Sequence, residues 1–149
     1  MGPYRHILVP IDFSEPSKRA LDAAVDLAVA FGAKLSITHT LEIPGYAYAG
    51  MGYPTVDFIT PLQETAKELL STTLEAVRKR LPDATSELRT GGAWEQTLAV
   101  AKDVGADLIV IGTHGRSGIA HAFLGSVAEK VVQHAHCPVL TVPQRRAAL

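Results

Sequence analysis

An open parallel α/β sheet of five strands, in the order 3-2-1-4-5 with helices on both faces, is the fold this sequence predicts. Three observations carry it. Short apolar runs alternate with stretches of helical period, giving the order βαβαβαβαβ, and parallel neighbours need such crossovers. Glycine or proline stands at most of the junctions between them, where chain stops and turns belong. Finally, the apolar run Leu108-Ile109-Val110-Ile111 passes directly into the glycine-rich stretch GTHGRSGIAHAFLGS, residues 112–126, and then into a helical pattern. Right-handed crossovers and a reversal of strand order create a switch point, and ligands sit there beyond the carboxyl ends of the strands. The loops after strands one and four are the natural pair.

His6 to Ile11 (HILVPI) is the first strand. Ser14 suits the cap of the next helix, with Pro16 tolerated in its first turn. Leu21, Ala24, Val25, Ala28 and Phe31 recur on one face, and Gly32 supplies the stop. Lys34 to Thr40 is the second strand, followed by IPGYAYAGMGYPTVDF (43–58), an aperiodic surface loop. Pro61 opens the second helix, whose stripe is Leu62, Ala66, Leu69, Leu70, Thr73 and Val77. Leu81-Pro82 ends it. Thr85 to Thr90 reads as a strand, and Gly91-Gly92 leads to a helix carrying Trp94, Leu98, Ala101 and Val104, stopped by Gly105. The fourth strand is Leu108 to Ile111. The fourth helix, with Val127, Val131, Val132 and Ala135 on one side, runs to about Ala135, and the last strand is Val139 to Val142. With no internal repeat or low-complexity tract, residues 1–149 are expected to form one domain.

A chain of 149 residues buries roughly 70% of its extended surface. Hydrophobic residues at 47% and charged residues at 19% supply a full core. The formal net charge of −1 provides no basic surface for nucleic acid. No apolar run approaches the roughly 18 residues of a membrane span. The apolar segment Ile7 to Ile11 ends at Asp12, so no signal peptide is expected, and a single cysteine, Cys137, excludes an internal disulfide framework. A cytoplasmic location is expected.

The glycine pattern is Gly112-x-x-Gly115, nine residues, then Gly125-Ser126. It matches neither GxGxxG nor the P-loop GxxxxGK[ST]. Strand, glycine loop and helix N-terminus still make a phosphate site, because glycines let backbone approach and the first-turn amides point at an anion. The bland alternative is a set of turns with a cap at Ser126. Among the potential cations of the loop, His114 and Arg116 each either reach phosphate or stay solvated. His134, His136 and Cys137 lack the fourth donor and convergence of a zinc site. His39, inside an apolar strand, reads as a satisfied core or edge histidine, and Trp94 as core.

The chain resembles the universal stress protein family from Ile7-Leu8-Val9-Pro10-Ile11-Asp12 to Cys137-Pro138-Val139-Leu140-Thr141-Val142, and the words IGTHGRSG and LGSVAEKVV are typical of its nucleotide-binding subgroup. The resemblance implies a Rossmann-like, adenine nucleotide alpha hydrolase-like domain that binds ATP, with Mg2+ as a possible companion, and forms a homodimer through Val139 to Val142. Asp12 would take the adenine or ribose edge, with Pro10 and Ile11 beside it. Thr40 falls where adenine is contacted through the backbone. Gly112, following Ile111, would lie near the ribose, and Gly115, Gly125, Ser126 and Val127 would hold the phosphates. Ala128 stands where some family members have a threonine hydroxyl, which removes one phosphate or metal contact. Asp12 also suits a simple helix-capping turn. Tyr46, Tyr48 and Tyr53 either fold over an adenine or pack on a dimer partner.

Three functions follow: an ATP-binding stress-response sensor, a slow ATP hydrolase, or a dimerisation module that no longer binds nucleotide. Hydrolysis needs a positioned water and charge neutralisation at the γ-phosphate. The loop has no P-loop lysine and no carboxylate pair for magnesium, and Glu129 is expected to face solvent. No catalytic residue is therefore assigned. A pure scaffold leaves the three glycines and Ser126 unexplained, so the sensor is favoured.

Overall fold

The structure, a computed structural model, describes residues 2–43, 57–114 and 124–143. Strand β1 (His6–Pro10) leads to helix α1 (Glu15–Phe31), then β2 (Lys34–Leu41), α2 (Ile59–Arg78), β3 (Thr85–Thr90), α3 (Ala93–Val104), β4 (Leu108–Gly112), α4 (Ser126–His134) and β5 (Val139–Val142). All pairings are parallel, in the order β3-β2-β1-β4-β5. The fold expected from sequence is the fold observed, with element ends shifted by one or two residues.

β1 lies at the centre, and Ile7, Leu8 and Val9 are fully buried because helices cover both faces. The strand alternation divides the core in two. Ile7 and Val9 pack with Leu35, Ile37 and the apolar stripe of α1 and with Leu70 and Val77 of α2. Leu8, Ile109 and Ile111 pack with Val100 of α3 and Val131 of α4. Helix α1 starts where the Ser14 hydroxyl accepts the Ser17 amide, and it ends at Gly32, whose φ of 65° is the left-handed conformation that glycine adopts freely.

Two expectations for α2 need correction. The helix begins at Ile59, ahead of Pro61, because Asp57 Oδ1 accepts the amides of Ile59 at 3.0 Å and Thr60 at 3.1 Å. Leu62 and Leu69, placed by period on the buried stripe, are 47% and 43% exposed, whereas Ala66, Leu70 and Val77 are buried. The helix covers the outer strands β2 and β3, so a narrower stripe than the sequence offers meets the sheet.

At the amino ends of the strands, one carboxylate ties β1 to β4. Asp107 Oδ1 accepts the His6 amide at 2.9 Å, and Oδ2 accepts the Arg5 amide at 2.9 Å. Burial works against the Asp107 charge, but these amides outweigh it and hold the carboxyl below its ordinary 3.8. His6 Nε2 lies 2.7 Å from Ser36 Oγ, which is 2.9 Å from Thr85 Oγ1, so a polar chain crosses β1, β2 and β3. Burial, reinforced by the Lys34 charge, pulls the His6 imidazole below its ordinary 6.5. The folded protein then takes up this proton less readily than the unfolded chain. His6 therefore costs no stability above pH 6.5 and removes stability as pH falls below that value. His6→Gln, which keeps a nitrogen beside Ser36, is expected to flatten the fall in Tm as the pH drops below 6.5. Thermal melts of both proteins check this, and equal slopes would assign the loss to other groups.

Candidate functional site

The carboxyl ends of β1, β2 and β4 open onto a cleft. Pro10, Ile11 and Asp12 line it from β1, Thr38, His39 and Thr40 from β2, and Ile111, Gly112, Thr113 and His114 from β4. Gly125, Ser126, Val127 and Ala128 close it from the start of α4. The structure thus gathers Pro10, Ile11, Asp12, Thr40, Ile111, Gly112, His114, Gly125, Ser126, Val127 and Ala128, eleven of the thirteen residues expected at the site. Gly115 and Arg116 lie outside the described residues, as do Tyr46, Tyr48 and Tyr53.

Asp12 does make the local turn. Its Oδ1 accepts the Ser14 amide at 3.0 Å and also the Ser14 hydroxyl, and its own amide donates to Ser17 Oγ at 3.2 Å. That arrangement fixes the carboxylate at the mouth of the cleft. Gly112 has a packing reason to lack a side chain. A Cβ there would stand 2.9 Å from the Pro16 carbonyl oxygen and 3.0 Å from its carbon, both backbone atoms of α1 that cannot swing aside. Ala128, 3% exposed, sends its methyl into the core with Leu8, Ile109 and Val131 and so presents only its amide.

Three helix N-termini surround the cleft, and their capping differs. In α1 the Ser14 side chain takes the Ser17 amide. In α3 the Ala93 amide donates to Glu42 Oε1 at 2.9 Å, so a carboxylate from the end of β2 already occupies that terminus. Among the described residues, no side chain caps α4. Its first internal bond is Glu129 to the Gly125 carbonyl at 2.9 Å, and the Gly125 amide donates to Thr113. The amides of Ser126, Val127 and Ala128 are left as the orphan donors of the first turn. They carry the positive end of the helix dipole toward the cleft.

The lining holds Asp12, His39 and His114 as its ionisable side chains among the described residues, and no lysine or arginine. His114 is steered by Thr113, with Nδ1 3.0 Å from Thr113 Oγ1. Several lining residues escaped the sequence reading: Ser17, Thr38, His39, Ala93, Thr97 and Thr113. Ser17 and Thr113 stand within five residues of expected ones, so the motif windows were simply too narrow. Ala93 and Thr97 reach the cleft through the packing of α3 against β2, for which local sequence has no signal. Thr38 and Thr97 are buried, and their hydroxyls donate to the carbonyls of Glu87 at 3.1 Å and Ala93 at 2.7 Å. Thr40 Oγ1 is buried without a partner. His134 stacks on the partly buried Trp94 with ring centroids 5.0 Å apart.

A parallel sheet with a switch-point cleft beyond its strand ends defines an open, doubly wound α/β domain. The profile of the universal stress protein family matches residues 3–143, and the chain belongs to that family. It is 35% identical to the universal stress protein YxiE of Bacillus subtilis over 146 residues, covering 93% of this chain and 99% of the relative. The structure resembles that of a universal stress protein in complex with cAMP, with a TM-score of 0.68, 27% identity and coverage of 95% and 98%. It also resembles the Archaeoglobus fulgidus universal stress protein in complex with dAMP, with a TM-score of 0.66, 26% identity and coverage of 93% and 97%. Among the described residues, no helix is long and apolar enough to cross a membrane.

The contact at Gly112 is directly testable. Gly112→Ala is expected to lower stability by about 1–3 kcal/mol, the range for overpacking against backbone, as read by urea denaturation. An unchanged midpoint would mean that α1 and β4 separate more easily than their contact implies.

Proposed function

We propose that this protein is an ATP-binding regulatory protein of the stress response, which holds the nucleotide in the switch-point cleft and acts as a homodimer. The observation that carries the reading is the N-terminus of α4, which no described side chain caps, at a cleft where Ser14 takes an amide of α1 and Glu42 takes one of α3. The phosphates sit on the amides of Ser126, Val127 and Ala128, with the Ser126 hydroxyl and the Gly115 and Gly125 backbone beside them. The sugar lies between Asp12 and Gly112, and the base lies against Pro10, Ile11 and Thr40. The cAMP and dAMP complexes of structural relatives support an adenine nucleotide as the ligand class.

The chemistry of the lining favours holding over turnover. Asp12 is its one carboxylate among the described residues, too few for a metal clamp on a leaving phosphate. Glu129, the other candidate, is exposed and lies 3.5 Å from Gln133 on its own helix. Magnesium would then arrive with the nucleotide and be held chiefly by its phosphates.

The primary experiment is to denature freshly purified protein and identify released nucleotide by chromatography and mass. ATP is the expected species. ADP would favour the hydrolase, and a monophosphate would redefine the ligand. An empty protein that also fails to bind ATP with Mg2+ at millimolar concentration, about 4 kcal/mol, would leave the dimerisation module as the better account. Gly125 has φ −66° and ψ 165°, which any residue adopts. Gly125→Val is therefore expected to keep the fold while its side chain crowds the phosphates, with at least about tenfold weaker ATP binding in calorimetry. Wild-type affinity in this variant would move the phosphates off α4.

The homodimer rests on β5, an outer strand of the sheet that displays Leu140 with 41% exposure. An unpaired apolar edge invites a second strand. Val142 packs on the core, so Leu140 is the side chain that can change without disturbing the monomer. Leu140→Lys is expected to yield monomers in light scattering, and an unchanged dimer mass would place the interface elsewhere.

A further inference from the structure

The β1–β2 ladder runs to Pro10↔Thr38, and the Ile11 amide then donates to the Thr38 carbonyl at 2.8 Å. Continued regularly, the next rung would join the Thr40 amide to the Ile11 carbonyl and the Phe13 amide to the Thr40 carbonyl. Among the described residues, neither bond forms. The Ile11 carbonyl instead meets His39 Nδ1 at 2.7 Å. A carbonyl only accepts, so Nδ1 carries the proton whether the imidazole is neutral or charged. Phe13 lies just beyond, with a left-handed φ of 63°, and its ring packs on the His39 ring at 4.6 Å between centroids. An aromatic residue keeps such a backbone only where its surroundings impose it. On the other face of β2, Thr40 Oγ1 is buried without a partner at the cleft.

We propose that His39, braced by Phe13, is a positioning residue for base recognition. By taking the Ile11 carbonyl, it stops β1 from closing onto Thr40 and leaves the Thr40 amide and carbonyl for the edge of the base. Adenine matches that pair: its N1 accepts from the amide and its exocyclic amine donates to the carbonyl. Hypoxanthine reverses both groups, with a protonated N1 and an O6 acceptor, and leaves two mismatched polar pairs. The inference rests on the adenine-nucleotide reading of the cleft and assigns its base selectivity.

The test is calorimetric titration of ATP, ITP and inorganic tripolyphosphate into the wild type, His39→Leu, His39→Asn and Phe13→Gly. The wild type is expected to prefer ATP over ITP. His39→Leu loses that preference by on the order of tenfold while tripolyphosphate affinity stays unchanged. His39→Asn restores it, because an asparagine side-chain N–H reaches about as far as Nδ1. Phe13→Gly, a residue suited to the left-handed backbone, weakens the preference in the same direction and keeps the question answerable should His39→Leu not fold. Wild-type preference in His39→Leu, or in Phe13→Gly where His39→Leu does not fold, overturns the role of His39 and leaves nucleotide binding intact. A wild type that binds neither ATP nor tripolyphosphate overturns the nucleotide reading itself, and this inference with it.

Discussion

The early end of the central strand is the constraint on which the rest of the molecule depends. β1 pairs with β2 as far as Pro10↔Thr38 and with β4 only as far as Leu8↔Ile109, while β2 continues to Leu41 and β4 to Gly112. Pro10 has no amide to give to a neighbour, so a ladder cannot pass through it on its donor side. Past that point the backbones of β2 and β4 face one another across a gap floored by Ile11. The cleft is this gap. Parallel pairing also forces every crossover helix to begin near the carboxyl end of the strand before it. The same rule that opens the cleft therefore brings three helix starts around it.

Which of those starts is available is then a matter of hydrogen-bond accounting. Ser14 and Glu42 each take an amide from two of them, and among the described residues no side chain takes those of α4. The magnitudes favour the amides over the long-range field. A helix dipole contributes about 0.3–1 kcal/mol near an anion, whereas a hydrogen bond to a charged group is worth about 1.5–3 kcal/mol. Three convergent amides outweigh the dipole several times over. This matters because the chain carries a net charge of −1 and the described lining has no fixed cation. Attraction for phosphate has to be built from geometry.

Most of this was legible in the sequence because it depends on local rules. Strand burial, the caps at Ser14 and Gly32, the sheet order and the meeting of Asp12 with Gly112 and Ser126 follow from period, turn chemistry and crossover handedness. The misses have a common physical origin in packing between distant segments. Leu62 and Leu69 fit a helical stripe, yet how much of that stripe finds a sheet depends on where α2 comes to rest. Thr97 and Ala93 reach the cleft only because α3 packs on β2. Gly112 is expected from the motif near a ribose, but its contact with the Pro16 carbonyl needed the fold. His39 was read as a satisfied histidine, which it is. What the sequence did not disclose is that it is satisfied by a carbonyl that regular pairing would have given to Thr40.

The two ends of the sheet show opposite polar arrangements. At the amino ends, Asp107 takes the amides of Arg5 and His6, and the His6–Ser36–Thr85 chain pairs its polar atoms across three strands. At the carboxyl ends stand an unpartnered Thr40 hydroxyl, an uncapped α4 and a phenylalanine with positive φ. Each of these departures is unfavourable for the isolated chain; Thr40 and the start of α4 line the cleft, and Phe13 packs on the cleft residue His39. Their concentration follows if the fold is stabilised at one end and the other end is left to be completed by a ligand. The nucleotide proposed for this cleft would supply groups for that end: phosphate oxygens for the α4 amides and a base edge for Thr40.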